Sequence, residues 1–214
     1  MNAQRPPVLG VVGGIAAGKS TASRVLADWG AAVVDADRIA RQVLKLPEVK
    51  ERLRAEFGED IADPDGSIRP AALGQAAFGS ENGVQRMNRI MHPPILERME
   101  RKVAELRESA DVPLIAVDAP LLIEKELDEK YCDAVLFVDA PRAERLRRVR
   151  EERGWTEEEM ERREKNQMDP AEKKNRADYM VQNRGSTREL RGALEDLWRQ
   201  ITGDTPHDEH DTTR

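Results

Sequence analysis

Cysteine, histidine and long hydrophobic segments are scarce in this sequence of 214 residues, and each scarcity excludes a class of protein. A single cysteine, Cys132, permits no intramolecular disulfide, and with three histidines it offers no zinc-ligand spacing. We interpret Cys132 as a buried, unreactive thiol. The longest apolar run near the N-terminus covers residues 8–12, which is too short for a signal-peptide core or a membrane span. We therefore expect a cytoplasmic protein.

Long blocks of basic residues are also absent, and the formal net charge is −6. A broad positive face for nucleic acid is therefore disfavoured, and nothing in the sequence indicates a membrane or an obligate protein partner. Apolar residues make up 39% of the chain and charged residues 36%, which argues against wholesale disorder. The length suits one α/β domain with inserted segments.

Short apolar runs alternate with helical patterns, which predicts an α/β fold with a parallel sheet. The chain opens with an apolar run at residues 8–12, a helical pattern at 19–29 and a second apolar run at 31–34. This order is the β-loop-α-β unit of a parallel sheet. Three further strands and a closing helix are predicted at residues 112–118, 134–139, 179–182 and 187–201.

Two long helical stretches separate these strands. Residues 38–110 are mainly helical in pattern, with turn signals at Pro47, residues 63–66 and residues 92–94. Because this stretch is long for a single crossover, we expect a helical insertion over one end of the sheet that holds a substrate pocket. Residues 142–178 are almost continuously charged and helical.

The segment after the first strand matches the phosphate-binding pattern G-x-x-x-x-G-K-[ST] at residues 13–20. Its glycines let the backbone wrap around phosphates, and the following helix directs its positive end toward the same anion. Lys19 supplies a charge for the β- and γ-phosphates, and the Ser20 hydroxyl is a magnesium ligand. Ala16 occupies a position where a third glycine is frequent, with a small expected effect. The predicted nucleotide-binding residues of this loop are Gly13, Gly14, Ala16, Ala17, Gly18, Lys19, Ser20 and Thr21.

Four aspartates end predicted strands, where parallel sheets place their ligands. We predict that Asp37 orients an acceptor hydroxyl and takes its proton late in phosphoryl transfer. Asp35 and Asp118 are candidates for the outer shell of magnesium, acting through water. The alternative for each of them is a helix N-cap, and for Asp139 we favour this structural role.

One predicted helix is crowded with arginines at positions 142, 145, 147, 148, 150 and 153. For most of them we favour surface ion pairs at i,i+4 spacing, such as Glu144 with Arg148. Transfer from ATP also needs positive charge on the migrating phosphoryl group, and a mobile lid would supply it. We expect one or two of these arginines to do so, and their spacing leaves open which.

Taken together, these residues resemble the dephospho-coenzyme A kinase family over nearly the whole chain. Beyond the phosphate loop, the shared motifs are Asp35-Ala36-Asp37, Ala40-Arg41, Asp65-Gly66, Leu73, Phe78, His92-Pro93, Pro120-Leu121-Leu122, Glu124, Arg148, Arg163, Gln167, Lys173, Ala177-Asp178, Asn183 and Gly185. A phosphate loop alone is shared by many enzyme families. Its combination with the later motifs is far more specific.

The resemblance implies a P-loop kinase core with a parallel five-stranded sheet, a helical coenzyme A-binding domain and a helical lid. The core would comprise residues 1–37, 112–141 and 179–202. The coenzyme A-binding domain would comprise residues 38–111 and the lid residues 142–178. The polar residues 203–214 are expected to be disordered.

The resemblance also implies that ATP, with Mg²⁺, phosphorylates the ribose 3′-hydroxyl of dephospho-coenzyme A, the final step of coenzyme A synthesis. It supports Asp37 as the carboxylate facing that hydroxyl, beside Lys19 and Arg148 as the other catalytic residues. The implied substrate-binding residues are Asp37, His92, Leu121 and Arg163, and the residues flanking adenine are Asn183 and Gly185.

Two positions depart from the family pattern. Pro70 stands where the family usually has an arginine, with Arg69 one place earlier. Glu152 stands near a second family arginine, with Arg153 one place later.

Two other functions are compatible with a phosphate loop. One is a kinase of another small acceptor such as a nucleoside monophosphate, and the His-Pro motif within the helical insertion argues against it. The other is a nucleotide-dependent switch with little turnover. A GTPase switch would carry an Asn-Lys-x-Asp motif, which this sequence lacks.

Overall fold

The computed structural model describes residues 5–109, 111–119, 122–124, 126–165 and 167–206. Its centre is a parallel sheet of five strands in the order β2-β3-β1-β4-β5. The strands are β1 (Val8–Gly13), β2 (Ala32–Asp35), β3 (Ile115–Asp118), β4 (Ala134–Asp139) and β5 (Tyr179–Gln182). Every residue of β1 is buried, as expected for a central strand covered on both faces.

Ten helices and one short 3₁₀ helix, Glu59–Ile61, are described. The helices are α1 (Lys19–Asp28), α2 (Ala36–Val43), α3 (Pro47–Phe57), α4 (Pro70–Phe78), α5 (Gly83–Arg107), α6 (Leu127–Tyr131), α7 (Arg142–Arg153), α8 (Glu157–Glu164), α9 (Pro170–Asn175) and α10 (Thr187–Thr202). None of the helices in the described ranges has both the length and the hydropathy needed to cross a membrane.

The chain divides into two compact units. The first, Met1–Val34 with Val103–Arg214, contains almost all of the sheet together with α1 and α6 to α10. The second, Asp35–Lys102, contains α2 to α4 and most of α5. The functional domains expected from the sequence remain predictions, and residues 207–214 of the expected disordered tail lie outside the described residues.

The core of the first unit packs α1 and α10 against the sheet. Leu26 of α1 and Leu194 of α10 are completely buried beside Leu136 of β4. The indole rings of Trp29 and Trp198 meet edge to face, with centroids 5.7 Å apart. Such an aromatic pair adds about 1 kcal/mol beyond the area that it buries. This packing anchors the helix that follows the phosphate loop.

The second unit contains a small hydrophobic core of its own. Val49 and Leu53 of α3, Ile61 of the 3₁₀ helix and Leu73 of α4 are buried. The expected turn at residues 63–66 is present, with the Gly66 N–H donating to the Asp63 carbonyl at 2.8 Å. Pro47 is the first residue of α3, a position where a missing N–H costs nothing.

The turn expected at residues 92–94 is wrong, because α5 continues through Pro93 and Pro94. His92 therefore lies inside a helix of 25 residues and does not precede a helix N-terminus. Proline is unfavourable inside a helix, because it lacks a backbone N–H donor and its ring crowds the preceding turn. Burial of Ile90 and Met91 before the prolines and of Met99 after them supplies the tertiary packing that outweighs this preference.

Residues 142–178, expected to be almost continuously charged and helical, form three separate helices. Helix α7 ends at Arg153 with Gly154 as its C-cap, and α8 begins after Thr156, whose side chain accepts the Glu159 N–H. Helix α9 begins after Asp169, whose carboxylate accepts the Ala171 N–H. These two caps satisfy N–H groups at the starts of α8 and α9.

Candidate nucleotide-binding site

The phosphate loop connects β1 to α1 at the carboxyl edge of the sheet. Gly18 is the N-cap of α1, and Lys19 is its first residue. The Lys19 ammonium donates to the carbonyls of Gly13 at 3.2 Å and Gly14 at 3.1 Å, so its side chain arches over the loop. A loop followed by a helix N-terminus presents N–H groups and a positive dipole end to an anion. This geometry suits a polyphosphate.

Asn183 lies behind the phosphate loop, directly after β5. Its side chain is buried, and its Nδ2 donates to the Ala17 carbonyl at 2.7 Å. A Cβ at Gly18 would overlap this Nδ2, and Gly18 has φ +97°, a conformation unfavourable for other residues. Glycine at position 18 is therefore required by both its backbone and its neighbour. Gly185, the second residue expected near adenine, lies exposed between β5 and α10.

Arg148 of α7 contacts the same part of the loop. Its Nη1 donates to the carbonyls of Ala16 at 3.2 Å and Ala17 at 3.3 Å, and its Nη2 donates to Asn183 Oδ1 at 3.1 Å. In this structure its guanidinium braces the loop from the carbonyl side.

Glu144 does not form the ion pair that we expected with Arg148. Glu144 pairs with Arg147, and Arg147 also pairs with Glu151. The i,i+4 spacing allowed an ion pair between Glu144 and Arg148. In the fold, the Arg148 guanidinium instead donates to loop carbonyls and to Asn183, which sequence spacing does not reveal.

Arg163 of α8 contacts residues of its own helical region. Its Nε donates to Glu159 Oε1 at 2.8 Å, and its guanidinium lies 4.1 Å from the centre of the Trp155 ring. Arg153 lies over the same ring at 4.8 Å. The indole thus lies within cation–π distance of two arginines. The substrate-binding role expected for Arg163 stays a prediction.

Ser20 and Asp118, the predicted magnesium residues of the first unit, both carry side-chain oxygens. Ser20 is exposed in the first turn of α1, and Asp118 ends β3. Asp118 Oδ2 accepts the Ser23 hydroxyl at 3.4 Å. Mg²⁺ prefers oxygen ligands and usually keeps several waters, so a hydroxyl and a carboxylate fit it. In the described ranges, no cluster of three or more histidine, cysteine or acidic residues could hold a metal alone.

Asp139 does not cap a helix, because the N-cap of α7 is Pro141. Its Oδ2 accepts Gln182 Nε2 at 3.0 Å, which joins the ends of the adjacent strands β4 and β5. The preference for a structural role over a catalytic one still agrees with this contact, although the expected cap was wrong.

Asp35 and Asp37 belong to the second unit. Asp35 is the N-cap of α2, with its Oδ1 accepting the Arg38 N–H at 2.9 Å. Asp37 is exposed in the first turn of α2, where the helix dipole favours a negative charge. His92 is half-buried in α5, and Leu121 lies outside the described residues.

Three further residues were given no individual catalytic or binding role from the sequence. Arg145 lies one turn before Arg148 on α7, with its guanidinium beside Gly14. The i,i+3 spacing of the two arginines was the available signal. Lys173 of α9 is buried and pairs with Glu124 at 2.6 Å, and Glu124 Oε1 also accepts the Met168 N–H at 3.2 Å. Two family motifs distant in sequence therefore meet in one buried ion pair.

Comparisons with known proteins agree with this geometry. The dephospho-CoA kinase family model matches residues 7–189. The curated dephospho-CoA kinase of Geobacter sulfurreducens is 38% identical over 192 residues, which cover 89% of this chain and 96% of that protein. The enzyme of Thermobifida fusca is 35% identical over 195 residues, covering 90% of this chain and 95% of that protein.

Solved structures show the same fold. The protein TT1252 of Thermus thermophilus is 31% identical and superposes with a TM-score of 0.78, covering 93% of this chain and all of that one. The dephospho-CoA kinase of Campylobacter jejuni is 22% identical, with a TM-score of 0.71 over 92% of this chain and 97% of that one. With a matching family model, close relatives over most of its length and a phosphate loop at the carboxyl edge of a parallel sheet, this chain belongs to the dephospho-CoA kinase family.

Proposed function

We propose that this chain transfers the γ-phosphoryl group of ATP to the ribose 3′-hydroxyl of dephospho-CoA, with CoA and ADP as products. The observation that carries the proposal is the family match over residues 7–189, which includes an intact phosphate loop. Relatives with the same enzyme name cover most of the chain and supply the acceptor class.

The phosphate loop and α1 would bind the donor. Phosphoryl transfer proceeds through a loose transition state, so that positioning and charge stabilisation dominate its catalysis. The backbone of residues 13–20 would hold the β- and γ-phosphates, with the Lys19 ammonium neutralising the charge that moves toward the leaving ADP. Asn183 and Gly185 lie on the segment after β5 that would flank adenine.

Ser20 and Asp118 would hold Mg²⁺, Ser20 directly and Asp118 through water. When bound, the ion would supply positive charge that offsets the negative charge developing on the phosphate groups during transfer. Asp35 remains a second outer-shell candidate, with one of its oxygens used by the Arg38 N–H.

Asp37 would orient the acceptor hydroxyl and take its proton late in the reaction. Its carboxylate is exposed at the start of α2, which supports this role, because the group can contact a substrate without giving up a contact inside the protein. His92, Leu121 and Arg163 would contribute to acceptor binding. Residues 38–111 would form the acceptor domain and residues 142–178 the lid. The expected cytoplasmic location stays a prediction.

An ATP-consumption assay across dephospho-CoA, adenosine, AMP and shikimate tests the proposed acceptor, with the product identified by mass. We expect turnover with dephospho-CoA alone and a mass increase of one phosphoryl group. A clear preference for another acceptor would contradict the proposal. In the same assay, Asp37→Asn should lower kcat by about 10²-fold with ATP affinity retained, and an unchanged kcat would remove Asp37 from the catalytic role.

A further inference from the structure

Arg145 is a largely buried cation against the phosphate loop. Its side chain is 11% exposed, and its Nη1 lies 3.4 Å from the Ile15 carbonyl, a long hydrogen bond. A Cβ at Gly14 would approach this nitrogen to 3.0 Å, so the guanidinium lies in direct contact with the loop backbone. Neither the phosphate-loop motif nor the family motifs quoted above include this residue.

Together with Arg148, it forms a ladder of donors along α7. Arg145 donates to Ile15, and Arg148, one turn later, donates to Ala16 and Ala17. Three consecutive loop carbonyls are thus held on the side facing α7. In a trans peptide the N–H of the next residue points opposite to the carbonyl, so the ladder directs loop N–H groups away from α7. Backbone N–H groups turned inward are what a phosphate loop offers its ligand.

Apolar packing supports the same contact. The Ile15 side chain is buried in a cluster with Val149 of α7 and Met160 of α8, flanked by Leu146 and Trp155. The backbone carbonyl of Ile15 therefore contacts α7, and its side chain packs against both α7 and α8. A shift of these helices would move the loop with them.

Glu164 balances the charge of Arg145. It is the last residue of α8, and it accepts a hydrogen bond from Arg145 Nη1. A buried cation without such a partner is strongly unfavourable, and a carboxylate at a helix C-terminus is unfavourable without a cation. The ion pair therefore balances both the buried charge of Arg145 and the carboxylate at the C-terminus of α8. It also leaves the Arg145 guanidinium in contact with Ile15.

We propose that Arg145 is a positioning residue for the donor, which holds the phosphate loop in the shape that binds ATP, while Glu164 keeps its guanidinium in place. The proposal rests on the proposed function only in requiring that ATP occupies this loop. It does not depend on the identity of the acceptor.

Arg147→Gln is a matched control for Arg145→Gln. Both arginines lie on α7, and both pair with glutamates, but Arg147 is 49% exposed and pairs with Glu144 and Glu151 of its own helix. Replacing either one removes the same charge from the same helix. Of these two arginines, Arg145 is the one whose side chain contacts the phosphate loop.

The decisive measurement is the dissociation constant of MgATP by calorimetry in the absence of acceptor, together with steady-state kinetics and thermal melting. For Arg145→Gln we expect this constant and the KM for ATP to rise about tenfold, corresponding to the loss of one charge-assisted hydrogen bond. The KM for dephospho-CoA should stay within about twofold, and Arg145→Lys should recover part of the ATP affinity. Arg147→Gln should bind MgATP like the wild type.

A purely structural role predicts a different pattern. In that case Arg145→Gln would lower the melting temperature and the active fraction, while the folded molecules would bind MgATP with unchanged affinity. That result would overturn the proposal, as would equal effects of Arg145→Gln and Arg147→Gln.

Glu164→Gln completes the test, and it remains informative if Arg145→Gln does not fold. We expect a smaller rise in the MgATP dissociation constant than for Arg145→Gln, with no further rise when the two changes are combined. Additive effects, or none for Glu164→Gln, would contradict the coupling. If the wild type binds MgATP but does not phosphorylate dephospho-CoA, the proposed function fails while the role of Arg145 is still decided by these affinities.

Discussion

At the residue scale, the buried amide of Asn183 shows why position 18 must be glycine. Asn183 Nδ2 occupies the space that a Cβ at Gly18 would need, and the φ of +97° disfavours any other residue. The same amide accepts a hydrogen bond from Arg148. One side chain therefore links the loop, the start of α1 and α7.

We predict that Gly18→Ala weakens ATP binding by at least tenfold and lowers the free energy of unfolding by about 1–3 kcal/mol, because it adds a clash to an unfavourable φ. Calorimetry with MgATP and urea unfolding measure the two effects. Gly192→Ala is the control, since Gly192 lies within α10 with open space around it. That change should stabilise the protein by about 0.5–1 kcal/mol and leave ATP binding unaltered. Wild-type ATP affinity in Gly18→Ala would contradict the close packing described above.

Cys132 is partly buried rather than fully buried as interpreted from the sequence, and its surroundings disfavour the reactive thiolate. Burial raises the pKa of the Cys132 thiol to about 12, with smaller contributions from the charges of Asp128 and Asp133. In the unfolded chain the thiol ionises near its usual pKa of about 8.5. Between these two values the folded state binds more protons than the unfolded state, so stability falls as the pH rises.

We therefore expect the stability of the wild type to fall faster between pH 8 and pH 10 than that of Cys132→Ser, with the difference approaching about 1.4 kcal/mol per pH unit. Urea unfolding of both proteins at pH 8, 9 and 10 measures it. The other titrating groups are common to both chains and cancel in the comparison. Parallel slopes for the two proteins would show that the thiol is not held neutral by the fold.

At the scale of elements, the Lys173–Glu124 ion pair connects α9 to the segment after β3. The Lys173 side chain is 3% exposed and that of Glu124 is 14% exposed. Glu124 also accepts the Met168 N–H, so one carboxylate holds both α9 and the residues preceding it. Helix α9 is the element that precedes β5 in the chain, and Asn183 follows β5 directly.

Removing one partner should be more damaging than removing both. We predict that Lys173→Met lowers the free energy of unfolding by about 3–5 kcal/mol, because it leaves a buried carboxylate without its cation. The double variant Lys173→Met with Glu124→Met should recover part of this loss, which urea unfolding can measure. Additive losses in the double-mutant cycle would show that the pair is not coupled.

Helix α5 shows where local patterns fail. The prolines at positions 93 and 94 predicted a break, yet buried residues on either side hold one helix of 25 residues. Prolines in a sequence indicate the local cost of a missing N–H and a crowded turn. They do not indicate the tertiary packing that can outweigh this cost. The strands β4 and β5, in contrast, have the bounds predicted from their apolar runs.

At the scale of the whole molecule, the five-stranded parallel sheet agrees with the architecture implied by the resemblance, and the family match covers most of the chain. The alternation of apolar runs and helical patterns was sufficient for the α/β class, since parallel strands buried on both faces leave continuous apolar segments. The strand order was not predictable in this way. It depends on which runs pair across more than a hundred residues, as in β1 with β3.

The sequence by itself determined the phosphate loop, the strands of the sheet and the family, because these are recorded in local spacing and residue type. Only the tertiary structure decided that Asp35 caps α2, that Arg148 braces the loop and that Arg145 lies beside it. The physical reason is that a guanidinium or carboxylate is satisfied by whichever acceptor or donor folding brings near. For Arg145 and Arg148 those acceptors are loop carbonyls about 130 residues away in the chain.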